Sequence, residues 1–436
     1  MKDSFLLTIR ALVRGRMLPL LMVGVALVHW LMPSIVRSDG SAEGTLEMFI
    51  RAVPGSSATM VMLVLLVTAC GMFAREREEK RLALAMVRPV GAFSVVLGRW
   101  LALVFASALA LAFSAALALM FPEAGDAGKV TYPPCRHHYA PSLPPPSTVA
   151  AHLLEDYLKD PKTPEAVKKA SKRAVLMLLT TKEIDRYDVI PPGETMIWPY
   201  DIEGLTEKMA AGERLALKVR FSTQFELRSP VAGEIAIGGY SAVVSNNTQS
   251  LIEIPLMGAG MVPKAGVRGK VEDGKVALTF KNTGKSAVMI RPRRDLEVLA
   301  MADSFGMNLL RAELEVWAMA SLLAAFGLLL SAALSRPVAV FTALVAYAIV
   351  LMAPSVIAQF PDEFNAPVAD RLGLALSRGI QAVTSSLAEP TPMADLATSR
   401  AVEWSALGRI LVMDVILLPL ALLMVAGVVI RRKPQD

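Results

Sequence analysis

Apolar and polar positions follow two regimes along this chain. Near both ends, apolar residues run in long unbroken blocks. Between them lies a long stretch in which short apolar runs alternate with turn residues. A helix that crosses a bilayer needs roughly 20 mostly apolar residues. Six blocks approach that length: Met17 to Ile35, Ala58 to Ala74, Trp100 to Phe121, Val316 to Leu334, Val338 to Phe360, and Ile410 to Ile430. Only Ser335, Arg336 and Pro337 separate the fourth from the fifth. The pattern predicts a polytopic α-helical membrane protein with six transmembrane helices.

The first block has a basic start, but it is long, and no small-x-small cleavage site follows in "PSIVRSDG". It reads as a retained span. Ahead of it, Phe5, Leu6, Ile9, Leu12 and Val13 form an apolar stripe at helical spacing, with Arg10, Arg14 and Arg16 to face headgroups. Residues 1–16 are therefore expected to be an interfacial amphipathic helix.

Charge sets an orientation. Lys2, Arg10, Arg14 and Arg16 precede span one; Arg75, Arg77, Lys80, Arg81, Arg88 and Arg99 lie between spans two and three. Arg336 falls between spans four and five, and Arg431, Arg432 and Lys433 follow span six. Six spans put all four groups on one side, the cytoplasmic one by the positive-inside rule. The expectation is a multi-pass protein of the cytoplasmic (inner) membrane with both termini inside. Composition agrees: 54% of residues are hydrophobic, and mean hydropathy is +0.48. The net charge of +6 is what cytoplasmic anchoring leaves and does not require nucleic acid.

Residues 122–311 then lie outside and are long enough for a domain. They open with a Pro-rich linker (131–148) and continue with a helical part (149–185), for which Ser147 and Thr163 are N-cap candidates. The runs "RLALKVRFST", "GEIAIGG", "SLIEIPL", "KVALTFKN" and "SAVMIRP" follow, with Asp273-Gly274 and Thr283-Gly284 at turns. This pattern predicts an α+β domain with a β-sandwich over 213–300.

Two motifs in this domain imitate chemistry. Gly284-Lys285-Ser286 resembles the tail of a phosphate loop, but Thr279 stands where its first glycine belongs and a strand pattern follows. It reads as a hairpin turn, so no ATPase site is expected in this chain. Cys135, Arg136, His137 and His138 offer metal-ligand types. Adjacent residues rarely close a site alone, and outside the spans only His152 adds a histidine. No metal site is assigned. No catalytic triad pattern occurs, and the spans carry no paired carboxylates or histidine cluster, so no enzymatic activity is assigned to this chain.

The most informative stretch is "REREEKRLALAMVRPVGAFSVVLGR", residues 75–99. A bland anchoring loop needs only bases. Here Glu76, Glu78 and Glu79 interleave with them, placed for the start of a short helix where the dipole favours acids. Leu82, Leu84 and Met86 add an apolar patch, and Pro89 ends the helix. Such a segment suits docking in a groove of a partner.

In this arrangement the chain resembles permease subunits of the type-two exporter class of ABC transporters. In that class Glu-x-Glu-x-Gly-Thr-Leu, a proline, and Gly-Lys connect spans two and three. Glu76, Glu78, Leu82, Pro89, Gly98 and Arg99 stand at matching spacing, with Lys80-Arg81 for Gly-Thr and Arg99 for Lys. The resemblance covers the N-terminal helix, the spans and the amphipathic stretch before span six, but not residues 122–311. It implies a coupling segment, 75–99, that docks on a separate dimeric ATPase subunit through Glu76, Glu78, Glu79, Leu82, Met86, Pro89, Gly98 and Arg99. It further implies a second permease copy or homologue, with ATP and Mg bound by the ATPase and no cofactor in this chain.

Residues 361–409 form an outside amphipathic segment between spans five and six, which in the family looks like a helical hairpin dipping into the membrane. Asp414 lies about one turn inside span six, so it either lines a path or snorkels to the interface. His29, near the outer end of span one, is the second path candidate. Pro419 is a candidate kink. The competing reading is a membrane-anchored extracytoplasmic binding or mechanotransmission module for signalling or envelope assembly, without transport.

Overall fold

The computed structural model describes residues 2–35, 42–78, 91–120, 135–161, 163–168, 172–184, 186, 188–201, 215–219, 222–223, 231–237, 240–246, 275–293, 296–359, 375, 392–397 and 399–432. In chain order the elements begin with α1 (Lys2–Arg14), α2 (Met17–Ile35), α3 (Ala42–Glu78) and α4 (Ala92–Met120). Then come β1 (Arg136–Tyr139), α5 (Pro146–Lys159), α6 (Glu165–Lys168), α7 (Lys172–Ile184), β2 (Asp188–Ile190), β3 (Thr195–Asp201), β4 (Leu215–Val219) and β5 (Ser222–Thr223). β6 (Val231–Ile237), β7 (Tyr240–Asn246), β8 (Lys275–Asn282), β9 (Val288–Ile290) and β10 (Leu296–Met301) complete the strands. The chain returns to helix in α8 (Phe305–Ala333), α9 (Arg336–Gln359), α10 (Pro392–Ala397) and α11 (Trp404–Leu411), followed by a π-helical stretch (Val412–Leu417) and α12 (Leu418–Arg432). Two compact units result: Met1–Cys135 with Asp303–Asp436, and Arg136–Ala302.

The first unit is helical. Among the described residues four helices are long and apolar enough to cross a membrane: Met48–Glu76 within α3, α4, α8, and Trp404–Arg432, which runs from α11 through α12. α1 and α2 pass the same test only as a pair bent by 56°, which raises the number to five at most. The architecture is that of a polytopic helical membrane protein. Among the described residues α9 adds a shorter apolar stretch over Arg336–Met352. The bend between α1 and α2 falls where Arg16 takes a left-handed φ of 60°. The Phe5 ring of α1 meets Phe105 of α4 edge-on at 6.0 Å.

α8 is the central helix, packed against α3, α4 and α12. Apolar area alone cannot hold helices together in lipid, so close backbone approach and hydrogen bonds carry the contact. Ser331 Oγ accepts from the backbone N–H groups of Phe73 (2.8 Å) and Ala74 (3.1 Å). Trp100 Nε1 donates to Ser321 O at 2.9 Å, and Trp317 Nε1 donates to Val104 O at 3.0 Å, so two indoles tie α4 and α8 reciprocally. At Gly327 a Cβ would stand 2.7 Å from the Ala69 Cβ and 3.1 Å from Leu66 O. Gly327→Val is therefore expected to lose about 1–3 kcal/mol through overpacking. Gly306→Ala, where a Cβ would meet nothing within 4 Å, should leave the thermal midpoint of the purified protein unchanged or slightly raised. A Gly327→Val midpoint equal to that of Gly306→Ala would contradict this packing.

Among the described residues the second unit holds three small antiparallel sheets, ordered β1-β10-β4, β2-β9-β5 and β3-β8-β6-β7. Trp198 and Tyr200 of β3 are buried with Leu278 and Phe280 of β8, while Ile197, one step out of phase, is exposed. α5 and α7 pack through Ala150, Val175 and Leu179.

Several expectations change here. A two-sheet β-sandwich over 213–300 is not what the described strands show, since β1, β2 and β3 come from outside that range. The Pro-rich linker 131–148 contains β1, paired along its length with β10; a partner so distant in sequence leaves no local trace. Ser147 is not a cap, because α5 starts at Pro146 with Pro145 at the cap position. Thr163 Oγ1 instead donates to Tyr157 O at 2.7 Å. Gly284-Lys285-Ser286 lies between β8 and β9, with Gly284 N donating to Asn282 Oδ1 at 2.9 Å. Residues 303–311, expected outside, belong to the helical unit. The run "SLIEIPL" and Asp273-Gly274 lie outside the described residues.

Candidate coupling site at the junction of α3 and α4

α3 ends and α4 begins on either side of residues 79–90. Of the eight coupling candidates, the structure brings Glu76 and Arg99 together, with Gly98 buried beside Arg99. Glu79, Leu82, Met86 and Pro89 lie outside the described residues, and Glu78 is placed as the last residue of α3. Arg99 Nη2 donates to Glu76 Oε2 at 2.6 Å, and its guanidinium lies 4.3 Å from the Phe73 ring centroid. The Arg99 side chain is 10% exposed and that of Glu76 33%.

This corrects the local reading of the acids. Glu76 and Glu78 do not open a new helix; they stand in the last turn of α3. The C-terminal end of a helix carries partial negative charge, so acids there are disfavoured. The Arg99 guanidinium offsets that for Glu76, and it closes the base of the 79–90 connection with a charge-assisted hydrogen bond. One turn away in α3, Phe73 N and Ala74 N meet Ser331, so the same helix end is fixed to α8. A shift of residues 79–90 would therefore be felt by α3, α4 and α8.

The two path candidates are both buried. His29 bridges helices: its Nδ1 lies 3.0 Å from Val25 O and 3.4 Å from Ser57 Oγ of α3, and the ring also reaches the backbone of Ser114 in α4. Asp414 is 2% exposed within the π-helical stretch, so its side chain turns into the unit and does not snorkel outward. Pro419, the candidate kink, stands in α12 just after the π stretch, in a segment that runs as one span from Trp404 to Arg432.

Sequence reasoning missed a polar tie at the start of α8. Asn308 Nδ2 donates to Arg400 O at 2.8 Å, and its Oδ1 accepts from Val402 N at 2.8 Å. Arg311 Nη1 donates to Val402 O at 3.1 Å, its Nη2 pairs with Asp303, and its guanidinium stacks 4.5 Å over the Trp404 ring. Setting the span at Val316 left these residues in the outside domain. Their spacing was a signal: Asn308, Arg311 and Glu315 fall on one face of a helix otherwise apolar around them.

In the second unit, His138 Nδ1 lies 2.9 Å from Glu297 Oε2. Burial, and beyond it the nearby Glu297 carboxylate, push the Tyr200 phenol well above its ordinary pKa. Among the described residues no three His, Cys, Asp or Glu side chains gather to hold a metal ion. Cys70 and Cys135 are buried and form no disulfide. No protein-family model matches the chain, and no curated protein or solved structure matches it either.

Proposed function

We propose that the chain is the membrane-spanning permease subunit of an ATP-driven exporter of the type-two ABC class. In this reading six helices cross the membrane with both termini cytoplasmic, and α2 and α9 supply the first and fifth spans. ATP binding in a separate dimeric ATPase subunit moves the 79–90 connection. The observation that carries the reading is the Glu76–Arg99 pair at its base. A charged, half-buried tie between two spans is what a transmission joint requires, and an anchoring loop does not need it. The compact Arg136–Ala302 unit favours a second role, recognition of a substrate or a partner on the far side. By itself that unit would also suit an anchored binding module.

The test is co-purification of nucleotide-binding ATPase subunits with the full chain, expressed in its own host and identified by mass spectrometry. Wild type should retain them in stoichiometric amount. Leu82→Asp/Met86→Asp, which places charge on the proposed docking patch and keeps Glu76 and Arg99 as they are, should lose them. Retention of no ATPase by wild type, or full retention by the double variant, would sink the proposal.

A further inference from the structure

Glu313 is a carboxyl in the N-terminal third of α8 with 6% of its surface exposed. Neither of its oxygens has a hydrogen-bond partner among the described residues, and both are buried. Its position follows from the helix repeat. Ser331 and Gly327 make the contact with Phe73 and Ala69 of α3, and the two helices run in the same direction there. Glu313 stands five full turns before Ser331, on the same stripe. The same count back from Phe73 reaches Gly55, where a Cβ would meet only Met393 of α10, at 3.8 Å.

The elements packed against α8 are α3, α4, α9, α10, α11, the π stretch and α12. Their charged or titratable groups nearest this level are Arg51 on α3, Asp395 on α10, Arg409 on α11 and Asp414 in the π stretch. α4 has none over 100–120, α9 has Tyr347 alone over 337–359, and α12 has Arg431 and Arg432 only at its far end. None of them pairs with either oxygen. On α8 itself Arg311 is held by Asp303, Val402 and Trp404, and Glu315, two residues on, is a second buried carboxyl. An ionised carboxylate is acceptor-only and needs several donors; in a buried apolar setting without them it is strongly disfavoured.

We propose that Glu313 is a proton-binding site of the helical unit: in this conformation it holds a proton, and it releases it only when α3 and α8 part enough to admit a partner. The inference does not depend on the exporter reading. A neutral buried acid is also a distinctive modification site for an apolar carbodiimide. The acid proton passes to a carbodiimide nitrogen as the carboxyl oxygen adds to the central carbon, giving an O-acylisourea. An oxygen-to-nitrogen acyl shift then yields a stable N-acylurea, with no leaving group and no other reactant.

The full chain in lipid nanodiscs is treated with dicyclohexylcarbodiimide or with a water-soluble carbodiimide, and adducts are mapped by peptide mass spectrometry. Glu313 should take the apolar reagent and not the soluble one, while Glu155, 82% exposed, should show the reverse preference. Infrared spectroscopy should show a carboxylic-acid C=O band at neutral pH that is lost in Glu313→Gln, an isostere of the protonated side chain that should fold with an unchanged thermal midpoint. The proposal is overturned if the soluble reagent labels Glu313 as readily as Glu155. It is equally overturned if the apolar reagent modifies Asp414 but spares Glu313, or if Glu313→Gln leaves the acid band intact.

Discussion

Arg99→Glu is expected to be the most damaging single change at the junction of α3 and α4. It removes the 2.6 Å bond to Glu76 and the guanidinium over Phe73, and it sets two carboxylates against each other at the C-terminal end of α3. The lost charged hydrogen bond alone is worth about 1.5–3 kcal/mol, tempered because Glu76 is one-third exposed, and like-charge repulsion adds to it. The double variant Glu76→Arg/Arg99→Glu restores opposite charge. It also places the cation at the C-terminal end of α3, where the helix dipole favours it. Thermal unfolding in detergent should therefore show a large fall in midpoint for Arg99→Glu and recovery of most of it in the swap. If the swap is no more stable than Arg99→Glu, the pair does not hold this junction, and the Phe73 contact carries the effect.

The second large effect is expected at the start of α8. Arg311 is 4% exposed, and its guanidinium serves Asp303, Val402 O and the Trp404 ring together. Arg311→Ala leaves Val402 O without its donor and removes the pair with Asp303, whose carboxylate is 43% exposed and stays solvated; the expected loss is about 1–3 kcal/mol. Asn308→Ala removes two bonds to the same 400–402 backbone and should cost about 1–3 kcal/mol. Both residues hold Val402, so the double variant should fall short of the sum by at least ~0.5 kcal/mol. Strict additivity in the measured unfolding free energies would mean that they act on separate parts of the structure.

The long apolar blocks and the basic clusters were legible in the sequence, because a membrane helix is selected by local composition over about 20 residues. The apolar middles of α4, α8 and the α11–α12 segment follow from that alone. So do β4, β5, β6, β8 and β9, since period-two alternation is also a local property. Local composition failed where a polar residue finds a distant partner. Asn308, Arg311 and Glu313 made the start of α8 look like solvent-exposed chain, yet the first two are satisfied from residues 400–404 and the third is simply enclosed. β1 was hidden in a proline-rich stretch because its partner, β10, lies far along the chain.

The candidate site divides the same way. The sequence by itself determined that an acid–base segment with Glu76 and Arg99 separates two apolar helices. Only the tertiary structure decided that these two residues face each other. It also showed that Glu76 belongs to the end of α3 and not to a new helix, and that Asp414 turns inward. Charge and spacing are properties of the chain, but which charges meet depends on the helix ends, which Ser331, Gly327 and the two indoles fix by packing α3 and α4 against α8.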